Sequence, residues 1–309
     1  MRAVSVGGLV VVGWVCLTSW DAIAHGHPLY PVLLALTVVG CVLILVRSLR
    51  PRALTTGWRR VRDLVLVLAA IGWLATMAWL RPFPAVEPAL TAMESDATVT
   101  VIESATWIEL TPSGGRESTA LFFQPGAKVD ARAYAAVLRP IAEAGYPVII
   151  AKQPVDIAFL AMDAFDDARE VHPEVQQWVL GGHSLGGVVA SDEADDADVG
   201  SVGADDAPVV GLLLYAAYPA GDISSTLTAA VESISGSQDG LSTPEEIEAS
   251  SADLPPESSF TVIEGAVHAY FADYGPQPGD GTPTISHDDA RAQISDASLR
   301  FIAGLGDTS

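Results

Sequence analysis

The first 82 positions of the chain contain three long apolar runs without charged side chains, at about residues 4–20, 29–46 and 64–80. Each run approaches the ~20 residues that cross a hydrocarbon core as a helix. Aromatic residues of the kind that favour the membrane–water interface lie at the ends of these runs, at Trp20, Tyr30 and Trp79. The pattern predicts a membrane anchor of three transmembrane helices within residues 1–82.

The charges between the runs predict their orientation. Six arginines lie between the second and the third run: Arg47, Arg50, Arg52, Arg59, Arg60 and Arg62. Because positively charged loops stay in the cytoplasm, we expect the third helix to lead outward and the chain after Arg81 to be extracellular. The first run can also be interpreted as a signal peptide cleaved after Ala22-Ile23-Ala24, which leaves this topology unchanged.

Beyond residue 82 the pattern changes to that of a folded domain. Residues 83–96 begin with several prolines and predict a semi-rigid linker. Within residues 97–309, short apolar runs predict strands at about 98–110, 120–123, 147–151, 177–181, 209–215 and 260–263. Longer segments predict helices at 131–144, 156–170 and 289–303. This alternation favours an α/β fold with a mostly parallel sheet and helices on both faces.

Charge divides the chain at the same place. The whole chain carries −22, of which residues 1–82 contribute +6 and the remainder −28. Such an acidic domain repels nucleic acid, whose binding depends on basic residues. Many acids with only two lysines, Lys128 and Lys152, are typical of proteins from salt-loving organisms, where salt screens surface repulsion. An ordinary acidic secreted domain is the alternative interpretation.

Residues that commonly bind metals do not form a recognisable site. The only cysteines, Cys16 and Cys41, both lie in apolar runs, so no cysteine metal site or disulfide framework is expected. His25 and His27 alone are a weak metal signal in a short loop. The acidic stretch 191–206 lacks the spacing of a calcium loop and predicts a solvated insertion. We therefore expect no metal site.

The strongest chemical signal is the segment Gly182-His183-Ser184-Leu185-Gly186. It matches the G-x-S-x-G nucleophile elbow, in which a serine sits on a strained turn between a strand and a helix. Glycines are needed two residues before and after the serine because side chains there would collide. The turn also offers the helix N-terminus and the Leu185 N–H to a developing oxyanion. The segment predicts Ser184 as a nucleophile.

A serine nucleophile needs a base, which in turn needs an acid. His268 follows the predicted strand at 260–263, and a base is expected at the carboxyl end of a strand. His287, in a polar stretch before the last helix, is the alternative base. Asp239 lies in the turn Gly236-Ser237-Gln238-Asp239-Gly240 and is the favoured acid, with Asp222 as the alternative. The order serine, acid, histidine is that of an elbow-type triad.

The second oxyanion donor is expected in the loop after the strand at 120–123, which reads Gln124-Pro125-Gly126-Ala127. The backbone N–H of Ala127 or Gly126 is the candidate. Lys128, the next residue, either attracts an anionic substrate or is a plain surface lysine.

Residues from about 118 to 304 resemble the α/β-hydrolase family, in its compact branch near the dienelactone hydrolases. The segments that carry the resemblance are FFQPGAKVDARAY, GGHSLGG, GSQDG and VIEGAVHAYFADYGPQPGDG. The resemblance implies an eight-stranded sheet, a Ser184–Asp239–His268 triad and no metal or organic cofactor. It also suggests that Tyr270, Phe271 and Tyr274 line a pocket or pack the loop. Ala127 departs from relatives that have a second glycine there.

These signals predict a multi-pass cell-membrane protein with an extracellular serine hydrolase domain. We expect Ser184 to form an acyl-enzyme with a small or medium carboxylic ester, while the N-terminal helices contact membrane lipid. A thioesterase, lactonase or peptidase with the same triad is the enzymatic alternative. A membrane-tethered binding module without catalysis is the other, because fold resemblance alone does not establish activity.

Overall fold

A computed structural model describes residues 1–49, 57–198 and 207–306 of the chain. Its N-terminal part consists of the helices α1 (Arg2–His25), α2 (Leu29–Ser48) and α3 (Gly57–Trp79). Within the described residues these three helices are long and apolar enough to cross a membrane. The predicted apolar helices are thus confirmed, and α1 has a non-helical residue at Ser19, near its C-terminal end.

The three helices run up, down and up. Arg2 at the start of α1 donates to Ser48 at the end of α2, and the Tyr30 hydroxyl at the start of α2 donates to the Met77 carbonyl near the end of α3, at 2.7 Å. The α1–α2 turn and the C-terminal end of α3 therefore lie at one end of the bundle. Arg47 lies at the opposite end, while Arg50 and Arg52 fall outside the described residues.

The C-terminal part is built on one eight-stranded sheet within the described residues. Its strands are β1 (Val99–Glu103), β2 (Trp107–Pro112), β3 (Thr119–Gln124), β4 (Val148–Ala151), β5 (Gln177–His183), β6 (Val209–Tyr215), β7 (Ala230–Gly236) and β8 (Ser259–Ile263). Their order is β1-β2-β4-β3-β5-β6-β7-β8. Strand β2 pairs antiparallel with both β1 and β4, and the remaining pairs are parallel, so the carboxyl ends of β3 to β8 meet at one edge.

Helices cover both faces of the sheet. They are α4 (Ala89–Ala92), α5 (Ala135–Glu143), α6 (Ala164–Val171), α7 (Leu185–Asp198), α8 (Pro244–Ser250) and α9 (His287–Gly306). Helices α5 and α9 pack in one buried cluster, and α6 and α7 pack in a second one. The strands are buried between them because their side chains are apolar on both faces. The predicted α/β-hydrolase architecture is confirmed.

Two local expectations were wrong. The helix expected at 156–170 begins only at Ala164, because Val155 and Asp156 adopt positive φ angles and Val155 and Ile157 pack against the transmembrane helices. The residues before it form the 3-10 turns Pro154–Asp156 and Ala158–Leu160.

The acidic stretch is not simply a solvated insertion. Helix α7 continues through it to Asp198, and Ser191 and Glu193 are buried. The remainder of the expected insertion, residues 199–206, lies outside the described residues.

Candidate active site

Ser184 lies on the sharp turn between β5 and α7, with φ +52°. Its N–H donates to the Tyr215 carbonyl at 3.0 Å, and its carbonyl accepts from the Gly187 N–H at 2.9 Å. The turn requires the flanking glycines: a Cβ on Gly182 would lie 2.3 Å from the Gly186 backbone, and one on Gly186 would lie 2.0 Å from the Gln124 carbonyl oxygen. A partly exposed serine held in this left-handed conformation is the geometry of a nucleophile elbow.

His268 and Asp239 form a buried hydrogen-bonded pair. The Nδ1 atom of His268 lies 2.9 Å from Oδ2 of Asp239, and the two side chains are 1% and 0% exposed. The other carboxylate oxygen of Asp239 accepts from the N–H groups of Leu241 and Ser242, each at 2.8 Å. These two backbone donors fix the carboxylate and orient its other oxygen toward the imidazole. A histidine held in this way can act as a general base.

The elbow and the His268–Asp239 pair occupy the same edge of the sheet. His183 pairs with Tyr215, which pairs with Ile234, so the ends of β5, β6 and β7 are aligned. The rings of His183 and His268 have centroids 4.5 Å apart. The structure therefore brings Ser184, directly after His183, to the loop that carries His268.

The two rival residues have other partners. Asp222 is exposed and accepts from the N–H and hydroxyl of Ser224, at 3.0 and 2.6 Å. His287 begins α9 and stacks on Tyr270, with centroids 4.4 Å apart and planes within 4°. These contacts give Asp222 a turn-stabilising role and His287 a packing role at a helix start.

The expected oxyanion loop, residues 124–127, is tied to the elbow by a chain of two hydrogen bonds. The Gly126 N–H donates to the Tyr134 hydroxyl oxygen at 2.8 Å, and the Tyr134 hydroxyl lies 2.8 Å from Nδ1 of His183. The Tyr134 hydroxyl thus contacts both the oxyanion loop and the His183 ring. The Gly126 N–H is thus engaged in the protein, which leaves Ala127 and Leu185 as the candidate oxyanion donors.

His183 is neutral in this arrangement. Burial, and secondarily the neighbouring His268, lower the pKa of His183 well below its usual value. The ring contacts the Tyr134 hydroxyl through Nδ1, whereas Nε2 has no hydrogen-bond partner among the residues that the structure describes. His183 therefore links the nucleophile elbow, through Tyr134, to the oxyanion loop.

Sequence reasoning missed a second buried network behind this loop. The Gln124 Nε2 donates to Glu193 Oε1 at 3.0 Å, and Gln153 Nε2 donates to Gln124 Oε1 at 2.8 Å and to the Pro125 carbonyl at 3.1 Å. Burial raises the pKa of Glu193 well above its usual value. The available signal in the sequence was Gln124, a polar residue at the end of an apolar strand. Glu193 gave no such signal, because it is one of several acidic residues in α7.

The remaining sequence candidates contact other parts of the protein. Phe271 and Tyr274 are buried, and Phe271 stacks on His183 with centroids 6.0 Å apart. Lys128 donates from Nζ to the Trp79 carbonyl at 3.2 Å, so it contacts the end of α3. The exposed His25 ring places Nδ1 3.1 Å from a carboxylate oxygen of Glu103. Among residues 1–49, 57–198 and 207–306, no group of three or more side chains is arranged to hold a metal ion.

Comparison with known proteins supports the fold. The model of the alpha/beta hydrolase family matches residues 120–292. A thermostable esterase from Pseudomonas putida is 14% identical, with 70% of this chain and 87% of that chain covered and a TM-score of 0.48. A dienelactone hydrolase-like promiscuous phosphotriesterase from metagenomic libraries is 15% identical, with 67% and 98% covered and a TM-score of 0.46.

A thermophilic esterase from Thermogutta terrifontis is 16% identical, with 66% of this chain and 91% of that chain covered and a TM-score of 0.44. No curated protein matches the sequence significantly. At these identities the solved structures say nothing about the substrate of this chain.

Proposed function

The chain belongs to the alpha/beta hydrolase family, and on that premise we propose that it is a membrane-anchored serine hydrolase that cleaves a carboxylic ester through an acyl-enzyme on Ser184. The observation that carries this proposal is the buried hydrogen bond between His268 Nδ1 and Asp239 Oδ2, at the sheet edge where Ser184 stands on a left-handed turn. A base oriented by a carboxylate beside a strained serine is the arrangement that activates a hydroxyl.

In the proposed mechanism, His268 accepts the Ser184 hydroxyl proton while the oxygen attacks the acyl carbon. The N–H groups of Leu185 and Ala127 donate to the oxyanion that develops. His268, whose imidazolium is stabilised by Asp239, then protonates the departing alcohol. A water molecule activated by His268 attacks the acyl-enzyme and releases the acid, which restores the free Ser184 hydroxyl.

We also propose that the catalytic domain faces the exterior. The six arginines between the second and third apolar runs favour a cytoplasmic position for that loop. The α1–α2 turn, the C-terminal end of α3 and the catalytic domain lie on the opposite side of the bundle. The domain division that we propose is an anchor of residues 1–82, a connecting segment of 83–96 and a catalytic domain of 97–309.

The experiment that tests this function is labelling of membranes with a fluorophosphonate probe, which reacts with activated serines. We expect labelling of the wild type and of a Ser251→Ala control, whose serine is exposed and remote from the elbow, but none of Ser184→Ala. Persistent labelling of Ser184→Ala, or no labelling of folded wild type, would count against the proposal and favour a binding module. Rates on matched ester, thioester, lactone and peptide substrates then separate the reaction classes.

A further inference from the structure

The oxyanion loop rests directly on the chain that leaves the transmembrane bundle. The Lys128 ammonium lies over the Trp79 ring, 4.6 Å from its centroid, and binds the Trp79 carbonyl. The backbone of Phe83 donates to the Lys128 carbonyl at 2.7 Å and accepts from the Asp130 N–H at 3.0 Å. Trp79 ends α3, so the loop that carries Ala127 is held at the external end of the bundle.

The loop that carries His268 is held by the same segment. The Val86 N–H donates to the Asp273 carbonyl at 2.8 Å, five residues after His268. The Phe83 ring also contacts the Tyr274 ring, with centroids 5.8 Å apart. The loop with Ala127 and the loop with His268 are thus both fixed to the few residues that follow α3. This arrangement places the candidate site beside the membrane surface.

A third segment connects the bundle to the nucleophile helix. After β4, Val155 and Ile157 pack among the apolar side chains of α1, α2 and α3. The next turn, Ala158–Leu160, packs against α7, the helix that begins after Ser184. The chain therefore passes from the transmembrane bundle to helix α7, which follows Ser184, within a few residues.

This turn and the residues that follow it expose three large apolar side chains, Phe159, Leu160 and Met162, which are 49%, 56% and 39% exposed. We call them the interfacial patch. Unlike the exposed apolar side chains of the edge strand β8, they directly follow a segment that packs against the transmembrane helices. Trp20 and Trp79, at the same end of the bundle, are also exposed and are residues that favour the membrane interface. Apolar side chains beside membrane helices are stable when they lie in lipid rather than in water.

We propose that the substrate of Ser184 is an amphiphilic ester that reaches the site from the outer leaflet across the interfacial patch. The hydrocarbon chain of such a substrate keeps apolar contact with Phe159, Leu160 and Met162 while its ester group moves to the serine. This inference rests on the proposed hydrolase function and adds the class of substrate. The continuity between the patch and the transmembrane bundle favours lipid, rather than another protein, as its occupant.

The test uses the full chain in phosphatidylcholine nanodiscs with two substrates, p-nitrophenyl palmitate dissolved in the bilayer and p-nitrophenyl butyrate in solution. The test variant is Phe159→Ser/Leu160→Ser/Met162→Ser. A matched control, Phe260→Ser/Val262→Ser, removes two similarly exposed apolar side chains from the edge strand β8. A conservative variant, Phe159→Leu/Leu160→Met/Met162→Leu, retains the apolar character of the patch.

We expect the serine variant to lose about tenfold in kcat/KM on the palmitate and to remain within about twofold on the butyrate. The control and the conservative variant should match wild type on both substrates. Equal losses on both substrates would overturn the inference by assigning the patch to folding, and unchanged palmitate hydrolysis would overturn it directly. Ser184→Ala distinguishes the two proposals: if it still hydrolyses butyrate, the proposed function itself is wrong.

Discussion

The Tyr134 hydroxyl is hydrogen-bonded to Nδ1 of His183 across 2.8 Å and thereby ties the start of α5 to the residue that precedes Ser184. The same oxygen accepts the Gly126 N–H. The side chain of Tyr134 is fully buried, so neither partner has water as a substitute. The loop that precedes Ala127 and the turn that presents Ser184 are therefore positioned relative to each other by one hydroxyl group.

Replacing Tyr134 with phenylalanine tests this positioning role. The change leaves two buried polar groups without a partner and should destabilise the protein by roughly 1–3 kcal/mol. It should also lower kcat about tenfold with little change in KM, because the misplaced Ala127 N–H is needed only when the oxyanion develops. Kinetics of ester hydrolysis and thermal unfolding measure the two effects.

The matched control is Ser298→Ala, which breaks another buried hydroxyl pair, Ser298 Oγ to Tyr215 Oη at 2.6 Å, in α9. It should lower stability by a similar amount and leave kcat unchanged. If Tyr134→Phe and Ser298→Ala have the same kinetic effect, the Tyr134 hydroxyl contributes only to folding.

Asp239→Asn keeps the size of the buried acid and removes its charge. Its amide can no longer hold the His268 tautomer in which Nδ1 is protonated, so we expect kcat to fall by about 10³–10⁴-fold. Asp222→Asn changes the rival acid, which is exposed and bound to Ser224, and should leave kcat close to wild type. If Asp222→Asn lowers kcat more than Asp239→Asn does, Asp222 is the acid that orients His268.

Membrane orientation is predicted to follow the arginine distribution. In a background in which Cys16 and Cys41 are replaced by alanine, a membrane-impermeant maleimide should label Ser251→Cys on intact cells, because Ser251 is exposed on the catalytic domain. A Thr55→Cys variant, placed in the arginine-rich loop, should react only after lysis. Labelling of the second variant on intact cells would invert the proposed topology.

The places of Ser184, Asp239 and His268 in the fold could be predicted from sequence because they depend on local features. Ser184 needs a strand, a turn and two glycines within a few residues, while Asp239 and His268 each follow a strand directly. The segment from Val155 to Ala161 could not be predicted in the same way. Its conformation depends on contacts with the N-terminal helices, which are distant along the chain, and it had the composition of a helix.

Tyr134 and Glu193 were missed for related reasons. Tyr134 is an aromatic residue in a region with helical periodicity, which in most cases indicates packing rather than a hydrogen bond to an active-site loop. Glu193 belongs to an acidic run that suggests solvent exposure, yet α7 turns it toward Gln124. In both cases the partner is distant in sequence, so only the tertiary structure identifies it.

High salt is predicted to stabilise the protein. The sequence after residue 82 carries −28, and salt reduces the repulsion among these charges by shortening the screening length from about 10 Å at 0.1 M to about 3 Å at 1 M. We expect molar potassium chloride to raise Tm by about 5–10 °C. Sucrose at equal molarity serves as a control, because an equal rise in Tm would assign the effect to exclusion of the solute from the protein surface. No rise in Tm in potassium chloride would indicate an ordinary acidic domain.

Glu193 predicts a specific dependence of stability on pH. Its Oε1 accepts from Gln124, while Oε2 has no hydrogen-bond partner among the residues that the structure describes. Burial raises the pKa of Glu193 well above its value of 4.5 in an unfolded chain, so the folded protein retains a proton that the unfolded chain releases. The stability that this group contributes is therefore fully present below pH 4.5 and is lost as the pH rises through the raised folded pKa.

Glu193→Gln should remove this loss of stability at high pH, because glutamine stays neutral and can retain the hydrogen bond from Gln124. At alkaline pH the variant should exceed wild type in Tm by about 2–4 °C, the shift that roughly 1 kcal/mol produces in a domain of this size, and the difference should shrink toward acidic pH. Glu170→Gln, at an exposed position of α6, should follow the wild-type profile. A difference in Tm that stays constant across pH would show that Glu193 is already ionised in the folded protein, and that the Gln124–Glu193 contact behind the oxyanion loop is a charged one.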